Sequence, residues 1–247
     1  MKKSAQESHL VGGIHAVSSA LKHGSEQVQQ VWLDLSRKDK RISELEETAR
    51  QAGISITRAK KPQLDDMLAD FRHQGVVARI RAPSARTEKD LYAVLEQLEE
   101  PALLLVLDGV TDPHNLGACL RSADAAGVHA VIAPKDNAAG LTPVACKVAS
   151  GAAETVMYVQ VTNLVRALEK LKQHHGIWVI GTAGEAQADI YQSDLKGNLA
   201  IVMGAEGKGM RRLTRETCDS LIKLPMKGSV ESLNVSVAVS YTHLTLP

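Results

Sequence analysis

A two-part α/β protein with a parallel sheet in its second part is what the sequence predicts, on three observations. From Leu103 onward, apolar runs of four to six residues recur with helical patterns between several of them. Parallel strands joined by crossover helices have this alternation. A shorter α/β series fills about the first 80 residues, a usual size for a small domain. Between the two series, Pro83, Ser84 and Ala85 interrupt both periodicities.

In the first series, Gly13 to Lys22 has the spacing of a short amphipathic helix, and Val28 to Leu35 reads as a strand. Asp39 to Ala52 is a polar-faced helix stopped by Gly53, followed by a strand at Ile54 to Thr57. Pro62 opens a helix to Phe71, and Gly75 to Ile80 is a last strand. After an acidic helix from Glu88 to Glu100, Pro101 opens the second series. Leu103 to Leu107 is apolar throughout, as a parallel strand covered on both faces must be. Val128 to Ala133, Val156 to Val161, Ile177 to Thr182, Leu199 to Met203 and Leu221 to Leu224 repeat it, with a helix at Leu164 to Lys172. The expected divisions are residues 1–83, a linker and acidic helix over 84–100, a second domain over 101–238 and an atypical tail over 239–247.

Of the 247 residues, 44% are hydrophobic and 23% charged, ordinary globular usage. Only 3% are aromatic, which argues against base stacking on exposed rings. The net charge of +1 conceals an asymmetry: residues 1–83 carry 14 Lys and Arg against 10 acids, and residues 84–100 carry 2 against 5. The excess in the first part fits a solvated surface and a nucleic-acid footprint equally. Cys119, Cys146 and Cys218 are far apart and read as reduced thiols of a cytoplasmic protein. No apolar run approaches the ~18 residues of a membrane helix. The nine histidines lack ligand spacing, so no metal is expected.

The chemistry concentrates late in the chain. Leu199 to Met203 breaks into Gly204, Gly207 and Gly209 and then a basic helical turn at Arg211 and Arg212. A second apolar run ends at Pro225 and Gly228 and is followed by Ser229, Ser232 and Asn234. Two strand ends spilling into glycine-rich loops make a ligand crevice in open α/β sheets. Lys208 is followed by glycine rather than Ser or Thr, which excludes a Walker A loop, and the G-x-x-G-x-G spacing is not a dinucleotide fingerprint. Earlier, Asp108 and Gly109 end a strand, Asp112-Pro113 makes a turn, and Asn115 is placed to cap a helix from Leu116 to Ala126 that carries Arg121. By residue type alone, an exposed surface arginine is the favoured reading of Arg121, and a plain cap is an equally good reading of Asn115.

DPHNLGACLRSADAAG, VMGAEGKGM and LPMKGSVESLNVSVA, in this order, resemble the three motifs of the SpoU (TrmH-type) branch of the SPOUT methyltransferases. GIHAV at Gly13 to Val17 and HQGVVA at His73 to Ala78 resemble the substrate-binding domain of bacterial 23S rRNA guanosine 2'-O-methyltransferases. The resemblance implies a small RNA-binding α/β domain followed by a parallel-sheet domain with a deep trefoil knot, S-adenosylmethionine as cofactor, 23S rRNA as partner and a homodimer. It further implies methylation of a guanosine ribose in the peptidyl-transferase loop. Gly204, Leu224 and Leu233 match cofactor contacts, and Thr182, Gly184, Met226 and Ser232 are expected in the same pocket. Arg121 matches the arginine assigned to hydroxyl activation, either as a base or as an electrostatic stabiliser. Asn115, Glu206, Ser232 and Asn234 match further motif positions. Asn115 and Glu206 are expected to organise the arginine and substrate, Ser232 and Asn234 to position the loop or ribose. Structural roles compete with these: Glu206 as a partner of a loop amide, Ser232 as the cap of the last helix.

After Val239 the relatives continue with an apolar helix, whereas SYTHLTLP shows no helical stripe. That end is expected to be non-native and to weaken folding and dimerisation. The alternative function is therefore a non-catalytic RNA-binding protein on the same scaffold.

Overall fold

The computed structural model describes residues 8–68, 73–81, 83–230 and 232–243. They form two compact units divided after Pro83. The first runs β1 (Ser8–Gly12), α1 (Ile14–His23), β2 (Val28–Asp34), α2 (Lys40–Gln51), β3 (Ser55–Ala59), α3 (Lys61–Met67) and β4 (Val76–Arg81). Its sheet has the order β1-β4-β2-β3, with β2 and β3 parallel and β4 antiparallel to both neighbours. Val17, Leu21, Ile42, Leu45 and Ala49 from α1 and α2 bury one face against Val31, Leu33, Ala78 and Ile80. Leu64 and Val77 form a smaller cluster on the other face, against which Trp32 packs.

Strand β1 was not expected: SHLVG is short and runs into two glycines, so only its pairing with β4 reveals it. The expected end of the third helix, to Phe71, lies outside the described residues.

In the second unit α4 (Glu88–Leu95) is followed by β5 (Leu103–Asp108), α5 (Pro113–Ala125), β6 (Ala130–Pro134), α6 (Pro143–Ala149), α7 (Ala152–Thr155) and β7 (Met157–Val161). Next come α8 (Leu164–His175), β8 (Trp178–Thr182), β9 (Ala188–Asp189), β10 (Leu199–Gly204), α9 (Arg212–Thr217), β11 (Ser220–Lys223) and α10 (Val235–His243). The sheet order is β7-β6-β5-β10-β8-β11-β9, every recorded pairing parallel. Leu105, Leu107, Ile201 and Met203 face α5, α6 and α10. Their alternates Leu104, Val106, Ala200 and Val202 face the cluster with α4 and α8. Burial on both faces is why Leu103 to Leu107 and Leu199 to Met203 are apolar at every position.

Three boundaries differ from expectation. Helix α4 ends at Leu95 rather than Glu100: Glu96, Glu99 and Glu100 repel one another there, and Pro101 disfavours helix at the residue before it. Helix α5 begins three residues early, because Asp112 rather than Asn115 is its cap, accepting from the His114 amide at 3.0 Å, with Pro113 in the first turn. Helix α10 continues through Ser240, Tyr241 and Thr242, against the expectation of no helical stripe. Val235, Val239 and Thr242 lie on one face and are all buried. The threonine fits that face because its hydroxyl donates to the Ala238 carbonyl at 2.8 Å.

Helices α5 and α6 approach so closely at Gly117 that a Cβ there would lie 2.5 Å from the Ala145 carbonyl oxygen and 2.7 Å from Val148 Cβ. Overfilling a packed contact costs about 1–3 kcal/mol. Gly117→Val is therefore expected to lower the unfolding free energy by about that amount. Urea titration of both proteins measures it, and an unchanged midpoint would contradict this packing.

Candidate functional site

Strands β5 and β10 are parallel neighbours whose last pair is Asp108 with Gly204. From there β5 leads toward α5 and β10 toward α9, so the chain diverges at the carboxyl ends of adjacent strands. This is the switch point at which open parallel sheets hold ligands.

Gly204 cannot carry a side chain, since a Cβ would lie 2.2 Å from Gly209 C and Met210 N. The loop curls back over the strand end, with Ala205 N donating to Gly209 O at 3.1 Å and Gly209 N to Ala205 O at 2.8 Å. Gly207 (φ 72°) and Gly209 (φ 66°) take the left-handed backbone that this reversal needs. Beside it, Thr182 ends β8 with its hydroxyl donating to the Val202 carbonyl at 3.0 Å.

The loops after β8, β10 and β11 enclose a cavity of about 390 Å³. Thr182, Gly184, Gly204, Leu224, Met226, Ser232 and Leu233 all line it, together with Met203, Val235 and Ala238. Its volume lies within the range of about 300–1,000 Å³ usual for small-molecule sites, and a mostly apolar lining with a few polar groups is their usual chemistry. S-adenosylmethionine fits that description, since the leucine and methionine side chains would meet the faces of a nucleoside and the backbone of the glycine loops its edges.

Glu206 forms a wall of the cavity. Its Oε1 accepts from Asn234 Nδ2 at 2.6 Å, Asn115 Nδ2 at 3.1 Å and the Val235 amide at 3.3 Å. Asn234 Nδ2 also donates to Asn115 Oδ1 at 3.0 Å. One carboxylate oxygen thus joins the β10 loop, α5 and the start of α10. Asn234 caps α10, its Oδ1 accepting from the Ser236 amide at 2.9 Å, so the cap is not Ser232. Ser232 is exposed at the cavity edge.

Arg121 stands apart. It is exposed on α5, lines neither this cavity nor the one beside it, and among the described residues its guanidinium has no hydrogen-bond or ion-pair partner. The expectation that it faces the cleft of its own chain, organised by Asn115 and Glu206, is not met. At 3.6 residues per turn, six residues rotate it about 120° from Asn115. It neighbours Ser122, whose hydroxyl meets that of Ser240 at 2.6 Å where α5 packs on α10.

Sequence reading passed over Asp108. This carboxylate, 1% exposed at the end of an apolar strand, accepts from Arg211 Nε at 2.6 Å and from the Arg211 amide at 2.8 Å, with Nη2 also 2.6 Å away as an ion pair. The available signal was an acid at the end of a strand buried on both faces, where burial demands a partner. The pair borders a second hollow of about 510 Å³ that shares Ala205, Glu206, Gly209 and Val235 with the first.

Residues 102–242 match the model of the SpoU rRNA methylase family, and residues 10–85 match that of the RNA 2'-O ribose methyltransferase substrate-binding domain. The chain is 57% identical over 231 residues to a 23S rRNA (guanosine-2'-O-)-methyltransferase RlmB of Haemophilus influenzae, covering 94% of each. It is 55% identical over 232 residues to that of Ralstonia nicotianae, covering 94% of this chain and 92% of the relative. Among solved structures it resembles the SpoU methyltransferase AviRb from Streptomyces viridochromogenes in complex with AdoMet, with a TM-score of 0.76 and 25% identity over 96% of this chain and 88% of the other.

Asn234→Ala removes the α10 cap and two amide hydrogen bonds, so a loss of about 1–2 kcal/mol is expected. Urea unfolding reads that loss, and a stability equal to wild type would break the link between Glu206 and α10. Cys119, buried in α5, has its thiol pushed up to about 12 by burial, with the nearby Glu206 charge acting in the same direction. Iodoacetamide at pH 8 should leave Cys119 unlabelled in the folded protein and label it in urea; rapid labelling of the folded chain would contradict the placement.

Proposed function

We propose, because this chain belongs to the SpoU rRNA methylase family, that it transfers a methyl group from S-adenosylmethionine to a guanosine ribose 2'-hydroxyl of 23S rRNA. The observation that carries this reading is the single cavity built from the loops after β8, β10 and β11, with Glu206 separating it from an adjoining polar hollow. When bound, S-adenosylmethionine supplies a methyl group activated on a sulfonium. The protein's task is then to align a ribose hydroxyl with that methyl and to help its proton leave.

Gly204, Leu224 and Leu233 hold the cofactor, with Thr182, Gly184, Met226 and Ser232 completing its pocket. Asn115, Glu206 and Asn234 fix the wall between cofactor and acceptor, and Ser232 stands at the edge where the ribose enters. Arg121 serves the site of a second copy of the chain in a homodimer. Its place on the outer side of α5, away from its own cavity, supports that role. A guanidinium keeps its proton up to a pH of about 12, so Arg121 acts by stabilising charge on the acceptor oxygen rather than as a base.

The first unit grips the RNA through phosphates, by charge more than by stacking. The finer reading, taken from resemblance, is a peptidyl-transferase-loop guanosine of the 2251 type, modified in the cytoplasm.

Incubation with labelled S-adenosylmethionine and 23S rRNA fragments, followed by mapping of the modified sugar, tests the activity. Saturable calorimetric binding of the cofactor is expected as well; its absence would favour a non-catalytic RNA-binding protein. For the dimer, Arg121→Ala, which removes the charge stabiliser, and Leu233→Glu, which puts a carboxylate into the cofactor cavity, are each expected to lose about 100-fold in rate. Mixed after unfolding and refolding together, they should regain up to about a quarter of wild-type activity, since half the dimers then carry one intact site. No recovery on mixing would place Arg121 in its own chain's site or outside the mechanism.

A further inference from the structure

Resting on the methyltransferase reading, we propose that the second hollow receives the base of the acceptor guanosine and that Arg211 reads its O6 and N7 edge. Val110, Asp112, Asn115, Lys208, Arg211 and Val235 border this hollow of about 510 Å³. It shares the Glu206 wall with the cofactor cavity, so a nucleotide seated here has its ribose beside the methyl donor.

Arg211 is held for the task. Its Nε donates to Oδ1 of buried Asp108 at 2.6 Å, its Nη2 lies 2.6 Å from the same oxygen as an ion pair, and its amide donates to Oδ2 at 2.8 Å. These bonds occupy one side of the guanidinium. The end-on edge, formed by Nη1 and the second hydrogen of Nη2, has no partner among the described residues. That edge pairs in bidentate fashion with guanine O6 and N7, and equally with two phosphate oxygens.

Charge decides between the two. Asp108, Asp112 and Glu206 outnumber Lys208 and Arg211 around the hollow, so a phosphate finds no net positive field there. Guanine is neutral and carries acceptors at O6 and N7 with donors at N1 and N2. Asp112 accepts from the His114 amide through Oδ1 at 3.0 Å, and its Oδ2 offers an acceptor for those donors. Val110 and Val235 supply apolar surface for the ring. Adenine, with an amino group in place of O6, sets a donor against the donors of Arg211.

The test uses the full chain and two 23S rRNA fragments with guanosine or 7-deazaguanosine at the modified position, the second lacking the N7 acceptor. Wild-type kcat/KM should fall about tenfold on the deaza RNA. Arg211→Ala should lose at least as much on guanosine and no longer distinguish the two RNAs, while cofactor affinity by calorimetry stays within about twofold. Arg211→Lys, which keeps the charge and loses the fork, gives the same comparison should the alanine variant fail to fold. Wild-type rates equal on both RNAs would overturn the assignment. So would an Arg211→Ala protein that is slower yet still penalised by 7-deazaguanosine, as a phosphate contact predicts. A wild-type chain that binds cofactor but methylates neither RNA overturns the methyltransferase reading, and this one with it.

Discussion

The parallel pairing of β5 with β10 is the constraint from which the rest of the second unit follows. Leu103 to Asp108 lies in register with Leu199 to Gly204, so two strands distant in sequence end at the same level. Their chains then diverge, which leaves a gap between the two loops even though the turn at Ala205 to Gly209 curls back over the end of β10. The resulting gap must be closed by a polar group able to satisfy exposed backbone amides. Two carboxylates do this. Asp108, from β5, holds the start of α9, and Glu206, from the β10 loop, holds the start of α10. Asp108 thereby anchors the helix reached through β10, and Glu206 the helix reached through β11.

The sequence made the interior strands plain because burial on both faces leaves no room for polar residues, as at Leu103 to Leu107. Glycines carried a comparable signal. Gly204 abuts backbone at a distance that admits no side chain, and no other residue could occupy that position. Helices α6 and α7 left a weaker trace. They are short and rich in alanine, and α6 is placed by its fit against Gly117 rather than by periodicity. Asp108 was visible as a residue and opaque as a contact, since its partner Arg211 lies 103 positions later.

Where sequence and structure disagree, a tertiary contact overrode a local rule. Asn115 has the chemistry of a helix cap, yet Asp112-Pro113 starts α5 one turn sooner and frees the Asn115 amide for Glu206 and Asn234. Thr242 looks unsuited to a buried helix face until its hydroxyl turns back onto the Ala238 carbonyl. Arg121 shows the limit of motif reading: a motif specifies spacing along a helix, while a rotation of about 120° decides which side of the helix the side chain leaves.

The Glu206 junction ties the two adjoining hollows to one helix. Its Oε1 accepts the Val235 amide at the amino end of α10, where the helix dipole favours negative charge by about 0.3–1 kcal/mol. Val235 and Ala238 of that helix line the first cavity, while Val235 also borders the second hollow. Any shift of Glu206 therefore moves a helix that walls both spaces and strains the bonds to Asn115 and Asn234 together. A loop of glycines alone is too compliant to fix the separation between a methyl donor and its acceptor. A carboxylate oxygen with three donors from two separate parts of the chain, Asn115 on one side and Asn234 with Val235 on the other, is not compliant, because displacement toward one side lengthens the bond to the other.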